Sequence, residues 1–307
     1  MADLYFPRTR DDDEISLISM REVIPSPIDY DDDDDEFDIT DSSPSTPTMS
    51  KSQTLPHNLS NLGGSTGGGR GLAFWLVRTQ KYSAYAFLSF VGIHGCTSAL
   101  TPLLLGVDSG NSSLLLARTY FYQATPYTEL LLIPGTLLLH LTSSVALRVY
   151  RHFAQRARYG GRAPLSLSTW RWRNFSAVSK TGWIAVPFLA AHAGLMRLVP
   201  LCVDGDSSQV GLEYLAHGFW QGRWGKWIGG VFYVGFVGVV SHHLVYGLAS
   251  YWKIPPQRKR KLLGAATVGT AALWLGGLSR VVVQSGRVGG YLGRHYDHFY
   301  QVFFRRV

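Results

Sequence analysis

Five long apolar stretches limit what this chain can fold into more than any other feature. They run over Tyr82–Leu105, Tyr127–Leu147, Gly182–Val203, Trp227–Tyr251 and Leu262–Val283. Each approaches the roughly 20 residues that cross a hydrocarbon core of about 30 Å. Backbone polar groups in lipid must be satisfied within the segment itself, so stretches of this length fold as helices. The expected fold is an all-α membrane protein with about five transmembrane helices. A soluble helical protein with very apolar core helices is the competing reading, and the scarcity of charge in all five stretches argues against it.

Charge divides the chain. Residues 1–69 hold 15 acidic against 4 basic residues, and the remainder holds 25 basic against 6 acidic. A segment so acidic and so poor in apolar residues cannot offset the entropy of ordering, so residues 1–70 are expected to form a disordered tail. It ends in the Gly-rich hinge GGSTGGGRG. One island, Ile15 to Tyr30, sets apolar residues and the step Val23-Ile24-Pro25-Ser26-Pro27 between acidic runs. Proline holds itself and its predecessor in extended geometry, so Val23, Ile24, Pro25 and Pro27 form a candidate extended ligand for a protein partner. The plainer reading is an apolar patch with a proline-directed phosphosite at Ser26. The remaining organisation is a helical bundle over 71–283 and a basic, aromatic segment over 284–307. There Tyr296, Phe299, Tyr300, Phe303 and Phe304 recur at helical spacing. That suits an interfacial helix, and equally a helix packed on the bundle.

The start, MADLYFPRTRDDDE, has neither the basic nor the apolar region of a secretory signal, so the first apolar helix is expected to direct insertion. Cys96 and Cys202 both fall in apolar runs, which argues against a disulfide framework. Basic residues cluster before the first span (Arg70, Arg78, Lys81), between the second and third (Arg148 to Lys180) and after the fourth (QRKRK). The opposite loops carry Asp108, Asp204, Asp206 and Glu213. The positive-inside rule then puts the N-terminus in the cytosol, although the basic segment after Arg287 runs against it.

The spans repeat. His94 is followed by Pro102 in the first, and His192 by Pro200 in the third. The second carries HLTSSVAL from His140, and the fourth carries HLVYGLAS from His243. Two parallel two-helix repeats plus a fifth helix result. At about 1.5 Å per residue, His94 and His192 share one depth, and His140 and His243 share another. Facing imidazoles at one depth meet the requirement for axial ligation of haem b. Small residues beside them (Gly95, Ser143, Ser144, Gly194, Gly247) leave room for a macrocycle. In this the helix pattern is similar to the dihaem cytochrome b anchors of fumarate reductase and succinate dehydrogenase. The bland alternative is hydrogen bonding of neutral histidines between helices. His242 and His243 lie about 100° apart on a helix, so one of them faces any given site.

No phosphate-binding loop, nucleophile elbow or metal-spaced Cys/His cluster is visible, and no enzymatic activity is expected. The basic charge reads as topology and lipid-headgroup attraction rather than nucleic-acid binding.

The segments FVGIHGCTSALTPLLLG, LLLHLTSSVALRVYR, FLAAHAGLMRLVPL and SHHLVYGLASYWK resemble the transmembrane domain of a fungal mitochondrial adaptor family, the Mdm-ten-complementing proteins. The resemblance covers roughly Phe74–Val283. It implies a multi-pass protein of the mitochondrial outer membrane with a cytosolic N-terminus. Such a protein recruits a bridge-like lipid-transfer partner, vacuolar-protein-sorting protein thirteen, to organelle contact sites for lipid homeostasis. The recruiting Pro-x-Pro motif maps onto Pro25 and Pro27. Lipid scrambling is associated with the family too, and Ser89, His94, Thr97, Ser98, Thr101 and His192 supply polarity for such a path. The chain departs from a symmetric pattern at Ser144, where a glycine would match the His243–Gly247 pair. The reading from a different class is a b-type dihaem cytochrome carrying electrons.

Overall fold

The computed structural model describes residues 71–159, 172 and 175–306. The tail with Val23, Ile24, Pro25 and Pro27, and most of the basic link before the third span, lie outside the described residues.

The protein has five helices long and apolar enough to cross a membrane: Leu72–Leu105, Pro126–Ala154, Ala177–Asp204, Gly225–Tyr251 and Lys259–Ser285. Each corresponds to one of the five apolar stretches, and no strand occurs among the described residues. The helices outrun the apolar stretches because a charge ends a hydropathy run without ending a helix. The first begins at Leu72, ten residues before Tyr82, and its extra turns keep Arg78 by laying the guanidinium 4.1 Å from the Phe74 ring centre. Only 6% to 22% of each span's most apolar window is buried inside the protein. Outward side chains such as Leu104, Leu138, Val231, Val268 and Val283 are left for lipid to cover. Exposed Trp75, Trp224, Trp227 and Trp252 sit near span ends, where a ring with an apolar body and a polar N–H meets the headgroup region.

Three spans are broken by a π-helical turn: Cys96–Leu100, Leu131–Gly135 and Gly194–Leu198. A proline lies within or just beyond each, at Pro102, Pro134 and Pro200. Proline lacks the N–H that would close the ladder and its ring crowds the preceding turn, so the chain widens there. The first and third spans match in register. The π-helical turns, the prolines and the two histidines all recur 98 residues apart. Both helices then end at a glycine with positive φ, Gly106 and Gly205.

The second span packs on the first, the first on the fifth, the fifth on the fourth and the fourth on the third. Among the described residues the second and third share no broad interface and are bridged by the side chains of Glu129 and Arg197. The spans thus form an arc around a central cavity. The end where the first and third spans finish is capped by two short helices, Val107–Ala117 and Leu212–Phe219, and by the C-terminal helix Gly290–Arg306. Asn111 accepts from the Leu212 N–H (2.8 Å) and so caps a helix whose own N-cap, Gly211, has no side chain. The apolar face of the C-terminal helix lies against protein rather than lipid. Tyr296, Phe299 and Tyr300 are buried together with Val210 and Tyr214. Of the two arrangements open for segment 284–307, packing on the bundle is the one found.

Candidate functional site

The central cavity has a volume of about 2210 Å³ and is lined by residues from all five spans. All four singled-out histidines face it. His94 and His192 bring their ring centres to 6.2 Å, and His140 and His243 theirs to 6.3 Å. Depth counting along the helices had paired them this way, and the fold brings each pair together across the cavity.

The surroundings hold each ring in place. Nδ1–H of His140 donates to the Gln80 carbonyl (3.1 Å), and Nδ1–H of His243 to the Val178 carbonyl (3.0 Å). A carbonyl only accepts, so these bonds fix the tautomer with a bare Nε2. Gln80 and Val178 are themselves 98 residues apart, so the repeat extends to these partners. The interhelical hydrogen bonds of the bland alternative therefore exist, and they use Nδ1. In the other pair, Nδ1 of His192 meets the Tyr233 hydroxyl at 3.2 Å, and Nδ1 of His94 is buried without a partner. Phe90 stacks on His94 at 5.4 Å and Phe236 flanks His192 at 5.4 Å. His242 turns away from the cavity, stacking on Tyr246 at 4.4 Å and meeting Thr181 Oγ1 at 3.2 Å.

Small residues do different work from that expected. Ser144 and Gly247 line the cavity. Gly95 and Gly194 face elsewhere: a Cβ on Gly95 would come 2.8 Å from Trp274, and one on Gly194 would come 3.3 Å from Phe303. Ser143 is buried and bonds to the His140 carbonyl at 3.1 Å. The glycine that matters for the second pair is Gly182, where a Cβ would sit 2.7 Å from Cε1 of His243. Serine at 144 does not spoil the symmetry. At its counterpart Gly247 an added Cβ would meet only Val178 Cγ1, at 4.0 Å, an ordinary contact.

Of the polar residues expected to line a lipid path, His94, Ser98 and His192 face the cavity. Ser89, Thr97 and Thr101 do not, and each bonds a carbonyl of its own helix. Sequence reasoning passed over the strongest charges in the wall. Arg197 and Glu129 form a bidentate pair, with Nε to Oε1 and Nη2 to Oε2 both at 2.6 Å. Arg118 lies nearby, donating to the Val210 carbonyl at 2.6 Å. A charge inside an apolar stretch was the available signal. At the capped end, buried His217 meets Asp297 Oδ1 through Nε2 (3.0 Å), and Gln221 donates to the same oxygen (2.8 Å). Burial pushes the phenols of Tyr214, Tyr296 and Tyr300 above their usual range, so all three stay neutral. Tyr296 donates to the Gln209 carbonyl and Tyr300 to the Tyr214 carbonyl.

Fold and cavity together define a multi-pass α-helical membrane protein built on an internal duplication, with paired histidines inside its membrane-spanning part. Residues 187–287 match the family model of the MDM10-complementing protein 1 transmembrane domain. That match runs from the middle of the third span through the fifth and agrees with the resemblance carried by the histidine-bearing segments. Comparison with curated proteins and with solved structures finds no match.

Proposed function

We propose that this protein is a membrane adaptor of the mitochondrial outer membrane that recruits a bridge-like lipid-transfer protein, vacuolar-protein-sorting protein thirteen, to organelle contacts. The observation that carries the reading is the family match over 187–287, joined to five helices able to span a membrane. The bundle anchors the chain, and the acidic N-terminal segment offers Val23, Ile24, Pro25 and Pro27 in the cytosol. Two prolines lower the entropy lost when an extended ligand binds, and Val23 and Ile24 suit apolar pockets beside a sheet edge. A second activity, scrambling of lipids, is supported by the cavity itself. Its wall carries His94, Ser98, His192, Arg118 and the Arg197–Glu129 pair within a largely apolar lining, which lowers the cost of moving a headgroup through hydrocarbon.

Replacing both prolines, Pro25→Ala with Pro27→Ala, is expected to abolish recruitment of the partner to mitochondria while membrane insertion stays intact. Co-purification and fluorescence co-localisation measure it. Wild-type recruitment by the double variant would remove the motif from the proposal. Scrambling is read by the access of an external quencher to inner-leaflet fluorescent lipid in vesicles holding the purified protein.

A further inference from the structure

Beyond the adaptor reading, the geometry points to a cofactor: each histidine pair ligates the iron of one b-type haem, so the cavity holds two haems at different depths. The spacing is the first argument. An iron holds an axial imidazole nitrogen at about 2.0 Å, and that nitrogen lies about 1.1 Å from its ring centre, so two ligating rings have centres roughly 6 Å apart. The observed separations are 6.2 and 6.3 Å. A direct imidazole–imidazole hydrogen bond of about 2.9 Å would draw the centres to about 5 Å. Neither pair makes one, and none of the four Nε2 atoms has a protein hydrogen-bond partner among the described residues.

The second argument is the tautomer. Ligating imidazoles donate the other ring N–H to a carbonyl, carboxylate or similar acceptor, which orients the ring and strengthens the ligand. His140 and His243 do this through backbone carbonyls on neighbouring helices. His192 has the Tyr233 hydroxyl in the same position.

The third is the donor count. Among the described residues no group of three or more His, Cys, Asp or Glu side chains converges on a point. Two imidazoles leave a bare transition-metal ion short of ligands, whereas a tetrapyrrole brings four equatorial nitrogens and needs two axial ones. The walls suit a flat aromatic ring. Phe90, Phe236, Val240 and Leu244 line the cavity, and its 2210 Å³ exceeds the roughly 300–1,000 Å³ of a pocket for one drug-sized ligand. Positive charge faces the cavity near each pair, Arg148 and Arg151 on the side of His140 and Arg118 and Arg197 on the side of His94, which suits the propionates of a haem. Two irons are needed rather than one. Tyr233 lies level with His192, and His243 follows ten residues later on an unbroken helix, a rise of about 15 Å.

The test uses the full chain, purified in detergent from haem-replete cells and then titrated with haemin. A pyridine haemochrome assay is expected to give two haem b per chain, with a Soret band and sharp reduced α-bands. His192→Ala and His243→Ala should each remove one haem, and the double variant both. His242→Ala should keep two. Because an alanine variant can fail to fold, His192→Gly and His243→Gly are measured with added imidazole, which should restore the missing haem. Gly182→Ala, which crowds the His243 ring, should remove only that pair's haem. A folded wild-type chain that stays colourless and shows no saturable Soret band with haemin overturns the proposal. One haem per chain, lost with either member of a single pair and indifferent to the other pair, overturns it for the second pair.

Discussion

Arg197 shows how a residue alone misleads and a residue with its partner explains. A lone arginine in an apolar helix is costly, but the Glu129 carboxylate receives it through two parallel bonds of 2.6 Å, and Ser207 Oγ takes Nη1. Both partners keep some contact with the cavity, at 29% and 20% exposure. Breaking this pair should therefore cost less than the roughly 3–5 kcal/mol of a fully buried one. We expect Arg197→Met or Glu129→Leu singly to destabilise the protein by about 2 kcal/mol, and the double variant by less than either single change. Unfolding of the purified protein in graded denaturing detergent measures it; additive losses would mean the two charges do not support each other. Sequence reading reached the histidines because a helix converts residue number into depth. It did not reach the Arg197–Glu129 pair, because the two lie 68 residues apart on different helices and no local pattern pairs them. Nor did it reach Gly182, whose importance lies in the ring of His243 resting against it.

The elements divide along similar lines. Apolar length marked all five spans, whereas proline alone did not mark their π-helical breaks, since Pro187 sits inside an unbroken α-helical stretch of the third. Short helices Val107–Ala117 and Leu212–Phe219 carried no such mark. The first is rich in Ser, Gly and Asn, and the second borrows its N-terminal cap from Asn111 about a hundred residues away. Tertiary contact makes them helices, and a local pattern cannot show that. The join between the first and fifth spans depends on a missing side chain as well. A Cβ at Gly277 would lie 2.4 Å from the Ala99 carbonyl oxygen and 2.5 Å from its Cα. Backbone cannot yield as a side chain does, so Gly277→Ala should force the helices apart at about 1–3 kcal/mol. Gly276→Ala is the control, because its Cβ would meet Leu103 at an ordinary 3.5 Å. Thermal stability in detergent distinguishes them, and equal behaviour of the two variants would refute close backbone packing at this point.

On the scale of the whole molecule, the described basic residues Arg78, Lys81, Arg148, Arg151, Lys180, Arg260 and Lys261 gather at one end of the arc. Asp108, Asp204, Asp206 and Glu213 gather at the other. The second end is mixed, since Arg118, Arg223 and Lys226 lie there and Arg287 and Arg294 join it through the C-terminal helix. Arg287 stands 3.5 Å from Asp297, which offsets part of that charge. For a protein seated in the mitochondrial outer membrane, as proposed, positive-inside topology then predicts that protease added to intact mitochondria removes the acidic tail and leaves the loop from Asp204 to Glu213 intact until that membrane is ruptured. Cleavage of that loop without rupture would invert the orientation. The fold class was legible in the sequence because lipid admits so few solutions. The order of the spans around the cavity was not, because it rests on contacts such as Gly277 with Ala99 and Gly95 with Trp274.

The second and third spans close the arc loosely: the Arg197–Glu129 pair bridges them, with no broad helix–helix interface beside it. A molecule reaching the cavity between these two spans would come sideways, already dissolved in the bilayer. Its supply would be governed by how much of it the membrane holds and how fast it drifts in two dimensions. An amphiphile too scarce to measure in the cytosol could thus still find the histidines crowded with it.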